Sequence, residues 1–212
     1  MYKIEGYIQA MTKTSNRSTE FFDTQFHRQI RDGEFALNPF EELVLPYLHG
    51  RVLDLACGLG NLTIEAARRG CSVLALDASP NAIERIRRVA AADGLSIEAT
   101  VADLTLYQLS GDFDAIVSIG LLMFLKGGRA LELLSEIQRH VRPGGCAIIN
   151  VMIEGTTYLE MFEPGHYYLF DHDEIHDSFA GWEILESKYD NREAPGQTVK
   201  MFTTVVARKT IS

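Results

Sequence analysis

The sequence has few cysteines, few basic residues and no long apolar run, and each shortage disfavours a class of protein. Cys57, Cys71 and Cys146 lie far apart without a CxxC pair, which indicates a reduced compartment rather than a disulfide framework. The net charge of −9 argues against nucleic acid as a partner, because phosphate binding needs a basic face. No run approaches the roughly 20 apolar residues of a membrane span, and residues 1–10 lack the apolar segment of a signal peptide. We therefore expect a cytoplasmic protein that binds neither nucleic acid nor membrane.

The stretch RVLDLACGLG, residues 51–60, organises the chain. Apolar residues surround a single acid, Asp54, and a glycine turn follows. The next segment, 61–69, has the pattern of a helix. Gly58 and Gly60 lack a Cβ, so a ligand can approach the backbone closely, and the first N–H groups of the helix can hold it. The pattern predicts a strand, a tight ligand-binding turn and a helix.

This turn differs from the dinucleotide-binding fingerprint. Thr63 stands where that pattern has glycine or alanine, three residues after Gly60. The Asp54 carboxylate would repel a pyrophosphate and attract an ammonium group. These features disfavour a nicotinamide-dependent oxidoreductase and favour a cationic ligand without phosphate.

Two further acids follow strand-like runs. Asp77 ends the run 72–77, and Asp103 follows the run 97–102. Parallel strands end at one edge of a sheet, which is where ligands bind in open sheets, so Asp54, Asp77 and Asp103 are expected there together. An acid at the second strand's tip can accept hydrogen bonds from ribose hydroxyls.

Strand-like and helix-like segments alternate along the core of the chain, which is typical of a parallel sheet covered by helices on both faces. Strands are predicted over 51–56, 72–77, 97–101, 115–119 and 146–151, and helices over 61–69, 80–92 and 127–141.

The motifs VLDLACGLG (52–60), Leu76-Asp77, Ala102-Asp103 and VRPGG (141–145) resemble the successive motifs of class I methyltransferases dependent on S-adenosylmethionine (SAM). Shorter strings, SIGLLMFL (118–125), Gly181-Trp182-Glu183 and Ala207-Arg208-Lys209, are similar to the tellurite-resistance methyltransferase group. This resemblance implies a three-layer Rossmann-like α/β fold. Its seven-stranded sheet is mostly parallel, with an antiparallel last strand inserted between the fifth and sixth.

The resemblance also implies the cofactor, SAM, its product, S-adenosylhomocysteine (SAH), and the residues that bind them. Asp54 would orient the methionine amine, and Asp77 would accept the ribose hydroxyls. The cofactor-binding residues carried over from matched positions are Asp54, Ala56, Cys57, Gly58, Asp77, Ala78, Asp103, Leu104, Ile119 and Gly120.

One stretch departs from the tellurite-type pattern, whose late hairpin carries a His-Arg pair and further basic residues. Here YDNREAPG, residues 189–196, contains one arginine, Arg192. The narrow substrate is therefore not carried over. The sequence predicts two strands around Arg192, 182–189 and 198–207, joined by a hairpin loop over 190–196.

Several segments beside the core leave alternatives open. A helix predicted over 18–30, with His27 and Phe35, either packs on the sheet edge or caps the cofactor cleft. The aromatic loop 154–170 either walls the acceptor site or covers the sheet. A capping box at 171–174 predicts a helix over 172–180. His172 and His176 have metal-ligand spacing there, but capping explains the residues, and we expect no metal.

We expect one domain, 1–212, with a helical cap (1–50), a SAM-binding core (51–152) and a substrate-side part (153–212). Within the cap, 1–15 is expected to be a partly ordered arm. The predicted function is methyl transfer from SAM to a small-molecule acceptor, for example a soft sulfur, selenium or tellurium nucleophile, by a monomer or homodimer. No catalytic residue is assigned, because no acid–histidine base pair is evident. A SAM-binding regulatory protein without catalysis is the alternative.

Overall fold

The computed structural model describes residues 17–211, so the predicted arm over 1–15 lies outside the described residues. The helices are α1 (Arg17–Asp32), α2 (Pro39–Val44), α3 (Asn61–Arg68), α4 (Pro80–Asp93), α5 (Gly127–His140) and α6 (Glu174–Ser178). The strands are β1 (Arg51–Leu55), β2 (Ser72–Asp77), β3 (Ile97–Val101), β4 (Phe113–Ile119), β5 (Val141–Met152), β6 (Glu183–Ala194) and β7 (Thr198–Arg208).

The seven strands form one sheet in the order β3-β2-β1-β4-β5-β7-β6. The pairs from β3 to β5 are parallel, and β7 runs antiparallel to both β5 and β6. The predicted fold class is confirmed, including the last strand inserted between the fifth and the sixth. Within residues 17–211, no helix is both long and apolar enough to cross a bilayer.

Apolar side chains alternate between the two faces of the sheet, as the period of a strand requires. Leu53, Ile116 and Ile149 join a cluster with α5 on one face. Val52 and Val117 face α2 and α3 on the other, and a smaller cluster there packs α4 against β2 and β3. Helices therefore cover both faces and leave the carboxyl ends of the strands as the accessible edge of the core.

Capping chemistry explains where the helices begin. Asn38 accepts hydrogen bonds from the backbone N–H groups of Phe40 and Glu41, and Glu41 accepts one from the N–H of Asn38. This complete capping box starts α2. Ser79 caps α4, with Pro80 at its first position as predicted.

Three predicted elements differ from the structure. The strand predicted over 146–151 is too short at its start, since β5 begins at Val141. The helix predicted over 172–180 is wrong in length, since α6 spans five residues, Glu174–Ser178. Only half of its predicted capping box forms: Glu174 accepts from the N–H of Asp171, but the Asp171 carboxylate accepts from the adjacent His172 N–H. The loop predicted over 190–196 is also wrong, because β6 continues to Ala194 and turns at Pro195–Gln197.

Candidate functional site

The glycine turn connects β1 to α3 in a left-handed backbone conformation. Ala56, Gly58 and Gly60 have φ values of 59°, 54° and 75°. Ala56 adopts this conformation without being glycine, and such backbone strain often accompanies a binding site. Cys57 is buried, donates its N–H to Leu76 O at 3.0 Å and accepts from Gly60 N–H at 2.9 Å. The turn is thereby tied to the end of β2.

Asp54 lies in β1 immediately before this turn and is almost completely buried, with 5% of its surface exposed. The Thr63 hydroxyl, in the first turn of α3, donates a hydrogen bond to Asp54 Oδ2 at 2.6 Å. Burial raises the pKa of Asp54 to about 7; the Thr63 hydrogen bond opposes this shift, and the nearby Glu41 and Asp77 add to it. The site therefore holds a carboxyl group whose ionised form is poorly stabilised by water.

Asp77 ends β2 and connects it to the glycine turn. Its Oδ2 accepts from Gly58 N–H and its Oδ1 from Ser79 N–H, both at 2.8 Å. Burial raises the pKa of Asp77, and these hydrogen bonds oppose that shift. Asp77 is thus held beside Gly58, and the adjacent Ala78 is exposed at the edge.

The segment after β3 brings Asp103 near Asp77, because Ala102 donates its N–H to Asp77 O at 2.9 Å. Asp103 is exposed and accepts from the Thr105 N–H and hydroxyl at 2.9 and 2.6 Å. Leu104, also predicted to meet the ligand, is buried in the main apolar cluster. The structure therefore places Asp103 at the open edge and Leu104 mainly in the core.

β4 ends at the same edge, between β1 and β5. Gly120, with φ of 70°, donates its N–H to Asn150 O at 2.9 Å, and Ile119 precedes it half-buried. The buried Asn150 donates through Nδ2 to the Thr204 hydroxyl at 2.9 Å. The predicted residues after β1, β2, β3 and β4 thus lie along one edge, while their binding roles remain predictions.

α1 lies across this edge. Phe26 ring atoms are 3.4 Å from the position that a Cβ on Gly58 would occupy, and Asp23 is close enough to raise the pKa of Asp77. The Phe22 and Phe124 rings are 5.2 Å apart. These contacts support the predicted cap. Phe35 lies at the back of the turn, 3.9 Å from the Arg85 guanidinium, which donates to Leu59 O.

The aromatic loop 154–170 both covers the sheet and faces this edge. Phe162 is buried, stacks on Tyr167 at 4.8 Å and contacts the Phe124 ring at 4.8 Å. Phe124 in turn meets α1 through Phe22. The backbone N–H of Arg17 donates to Glu163 at 2.9 Å, so loop and cap meet above the end of β4.

The β6–β7 hairpin extends past the end of β5 and carries two cations. Arg192 and Lys200 are direct cross-strand partners. The Arg192 guanidinium lies 4.0 Å from the centre of the Phe40 ring, and Lys200 Nζ lies 4.4 Å from that of Tyr158. Burial and Arg192 both lower the pKa of Lys200. Within residues 17–211 neither cation forms an ion pair. Sequence analysis found Arg192 alone, because the register that adds Lys200 is not visible in the sequence.

Two histidines at the start of α6 lie apart from these groups: His172, just before the N-cap Asp173, and His176, within the helix. His172 and His176 contact Asp173 and Asp177 at 3.0 and 3.1 Å, and all four side chains are largely exposed. His172 also stacks on Tyr189, with ring centres 4.1 Å apart. In the described part of the chain no group of three or more His, Cys, Asp or Glu could hold a metal ion.

Comparison with known proteins agrees with this geometry. Residues 52–145 match a family model described as a methyltransferase domain. Hemagglutinin 1 of Eikenella corrodens is 31% identical over 170 residues, which cover 75% of this chain and 54% of that protein. The probable S-adenosyl-L-methionine-dependent methyltransferase TehB of Haemophilus influenzae is 24% identical over 199 residues, covering 91% of this chain and 65% of TehB.

The crystal structure of TehB from Haemophilus influenzae superposes with a TM-score of 0.70 and 23% identity. It covers 82% of this chain and 63% of that one. This chain therefore spans about half to two thirds of the length of these relatives.

Proposed function

This chain carries a methyltransferase domain, and from that premise we propose that it is a class I SAM-dependent enzyme that transfers the methyl group of SAM to a small, anionic, soft nucleophile. The single observation that carries the cofactor assignment is the buried Asp54 and Asp77 at the glycine turn. Asp54 offers a carboxylate to an ammonium group, and Asp77 offers its remaining lone pairs to ribose hydroxyls. SAM has both groups and no phosphate for these acids to repel.

The cofactor-binding residues of this proposal lie on successive strand ends. The turn residues Ala56, Cys57 and Gly58 contact the methionine part through backbone. Ala78, Asp103 and Leu104 border the adenine, and Ile119 and Gly120 close the site beside the methyl group. Burial raises the pKa of Cys57 well above its usual value, which fits a packing residue and not a nucleophile.

The reaction needs alignment more than acid–base chemistry. A lone pair of the acceptor attacks the methyl carbon as its bond to sulfur breaks. The bonding pair stays on sulfur and yields neutral SAH sulfur. Holding the acceptor in line can supply roughly 7–11 kcal/mol of barrier reduction. A soft anion needs no base to remove a proton, so sulfur, selenium and tellurium anions fit the site.

The Arg192–Lys200 pair supports an anionic acceptor. Like charges directly opposite on paired strands destabilise a hairpin, and burial adds to the cost for Lys200. An anion between them would relieve both. Arg192 lies over Phe40, whose neighbour Glu41 acts electrostatically on Asp54, and this series of contacts supports an acceptor position near the proposed cofactor site.

Domain organisation and location form part of the proposal. We assign the cap to 1–50, the cofactor-binding core to 51–152 and the acceptor side to 153–212. A cytoplasmic location fits the three cysteines, all free and buried. An assembly no larger than a homodimer remains a prediction.

Calorimetric titration with SAM, SAH and NAD tests the cofactor assignment. We expect micromolar binding of SAM and SAH, none of NAD, and at least tenfold weaker binding to Asp77→Asn. Asp93→Asn, which removes a surface partner of Arg68, is the control and should bind normally. Binding of NAD without SAM would overturn the proposal.

Acceptor assays follow with thiolates, selenite and tellurite, and SAH release is the readout. Lys200→Met should raise the KM for anionic acceptors about tenfold and leave SAM affinity unchanged. Lys188→Met is the matched control, because Lys188 is paired with Asp190 elsewhere on β6. SAM binding without turnover of any acceptor would favour the regulatory alternative.

A further inference from the structure

Thr63 and Asp54 form an isolated buried contact between α3 and β1. Thr63 is 1% exposed and Asp54 is 5% exposed. The 2.6 Å hydrogen bond joins the Thr63 hydroxyl to Asp54 Oδ2. Among the described residues no other group hydrogen-bonds this carboxyl group, so its Oδ1 accepts no hydrogen bond from residues 17–211. One carboxyl oxygen is therefore held by the protein, and the other is free to meet a ligand.

The charged and titratable groups around Asp54 do not neutralise it. Among the described residues, the groups that act on the pKa of Asp54 are Thr63, Glu41 and Asp77, and none of them is a cation. The titratable groups that face Asp54 are Glu41 from α2, Asp77 from β2 and Cys57 in the turn, with Asp23 of α1 acting on Asp77. The acidic groups among them would attract a cationic group placed at Oδ1.

We propose that Thr63 is a positioning residue for the cofactor: its hydroxyl fixes the Asp54 carboxyl group so that Oδ1 faces the ammonium of SAM. This inference rests on the proposed function. Thr63 does not touch the cofactor in this arrangement; it acts through Asp54. The residue that separates this turn from a dinucleotide-binding turn thus contributes, through Asp54, to selecting an ammonium ligand.

The hydroxyl also sets the pH range in which Asp54 works. A donated hydrogen bond stabilises the ionised carboxyl group and lowers its pKa, against the effect of burial. Without the donor, the pKa of Asp54 would rise further above 7. Only the ionised form attracts an ammonium group. As the pH is lowered, the variant would therefore begin to lose cofactor affinity at a higher pH than wild type.

The experiment compares wild type, Thr63→Val and Thr63→Ser by calorimetry with SAH from pH 5.5 to 8.5. Valine keeps the shape of threonine and removes the donor, and serine keeps the donor. We expect SAH affinity to fall below about pH 7 in wild type and in Thr63→Ser. In Thr63→Val the midpoint should move up by about one to two pH units, because the lost hydrogen bond to a charged group contributes roughly 1.5–3 kcal/mol and one pH unit corresponds to about 1.4 kcal/mol.

A second ligand separates positioning from damage to the pocket. 5′-Methylthioadenosine keeps the adenosine and the sulfur of SAH but lacks the ammonium group. Thr63→Val should weaken SAH binding about tenfold at pH 7.5 and leave methylthioadenosine binding unchanged. Equal losses for both ligands, or superimposable pH profiles of wild type and Thr63→Val, overturn the inference. If wild type binds neither SAM nor SAH, the proposed function fails, and this inference fails with it.

Discussion

Gly60 meets two structural demands with one residue. Its φ of 75° is a left-handed conformation that disfavours side chains, and a Cβ there would collide with Ile86 of α4. Gly60 therefore lets α3 start at the turn and lets α4 pack against it. The glycine pattern alone predicts the turn, but not the contact with Ile86.

Gly60→Ala should lower the free energy of unfolding by roughly 3 kcal/mol, because backbone strain and overpacking add. Gly94→Ala is the matched control: its φ is 65°, and a Cβ there meets no atom within 4 Å. That variant should lose only about 1 kcal/mol. Urea denaturation measures both, and equal losses would show that the Ile86 contact contributes nothing.

Asp54, Asp77 and the turn were identified from residue types, because an acid at a strand end has a chemical meaning in the sequence itself. The Asp54–Thr63 hydrogen bond was not identified. Thr63 was noted only as a departure from another fingerprint, and its hydroxyl direction depends on how α3 packs on β1. Partners such as these follow from packing between elements, which residue patterns do not specify.

At the scale of elements, α1 covers the site while burying none of its own residues. Its contacts with the edge are the Phe22 and Phe26 rings. For elements with so little buried surface, the free energy of local unfolding is low compared with that of the core. α1 can therefore control cofactor affinity without controlling the stability of the whole fold.

Phe26→Ala should weaken SAH binding about tenfold and change the Tm by less than about 2 °C, because the ring contacts Gly58 and little of the core depends on it. Ile30→Ala, one turn along the same helix and 40% exposed in wild type, should bind normally. Calorimetry and thermal denaturation measure the two effects. A similar loss of affinity in Ile30→Ala would mean that α1 acts through its helix content and not through the ring on Gly58.

Most elements of the core followed the predicted bounds closely, with β2 and β3 identical to them and α3 and α4 within one residue, whereas β5 begins five residues earlier than predicted. Continuous apolar runs, a Ser-Pro start and glycine stops are local features. The hairpin was less predictable, since its register depends on pairing between β6 and β7. That register, and not the composition of the loop, places Lys200 opposite Arg192.

For the whole molecule, the strand order places β1 between β2 and β4 and gathers three acids from separate motifs at one edge. The resemblance of the motifs implied this order, which local patterns alone leave open. Packing such acids together stores unfavourable electrostatics in the free protein. Burial raises the pKa of both Asp54 and Asp77, so the cost increases as pH rises.

The sign of this effect links stability to cofactor binding. The pKa of Asp54 rises from 3.8 in the unfolded chain to about 7 in the fold, so the folded state binds more protons than the unfolded state between these values. Its stability therefore falls as pH rises through that window. The free folded protein favours the protonated form of Asp54. A bound ammonium group reverses this preference, because it stabilises the ionised carboxylate.

We therefore expect SAH to raise the Tm more at pH 8 than at pH 6. At 100 times the Kd, ligand binding adds about 2.7 kcal/mol, which corresponds to roughly 5–10 °C for a chain of this size. At pH 6 Asp54 is mostly protonated, which weakens SAH binding about tenfold, so the same SAH concentration should raise the Tm about half as much. Asp54→Asn removes the titrating group, so its free Tm should fall less between pH 6 and pH 8 than that of wild type. Thermal denaturation at the two pH values measures all of these quantities. If SAH raises the Tm equally at both, Asp54 does not recognise the ammonium group.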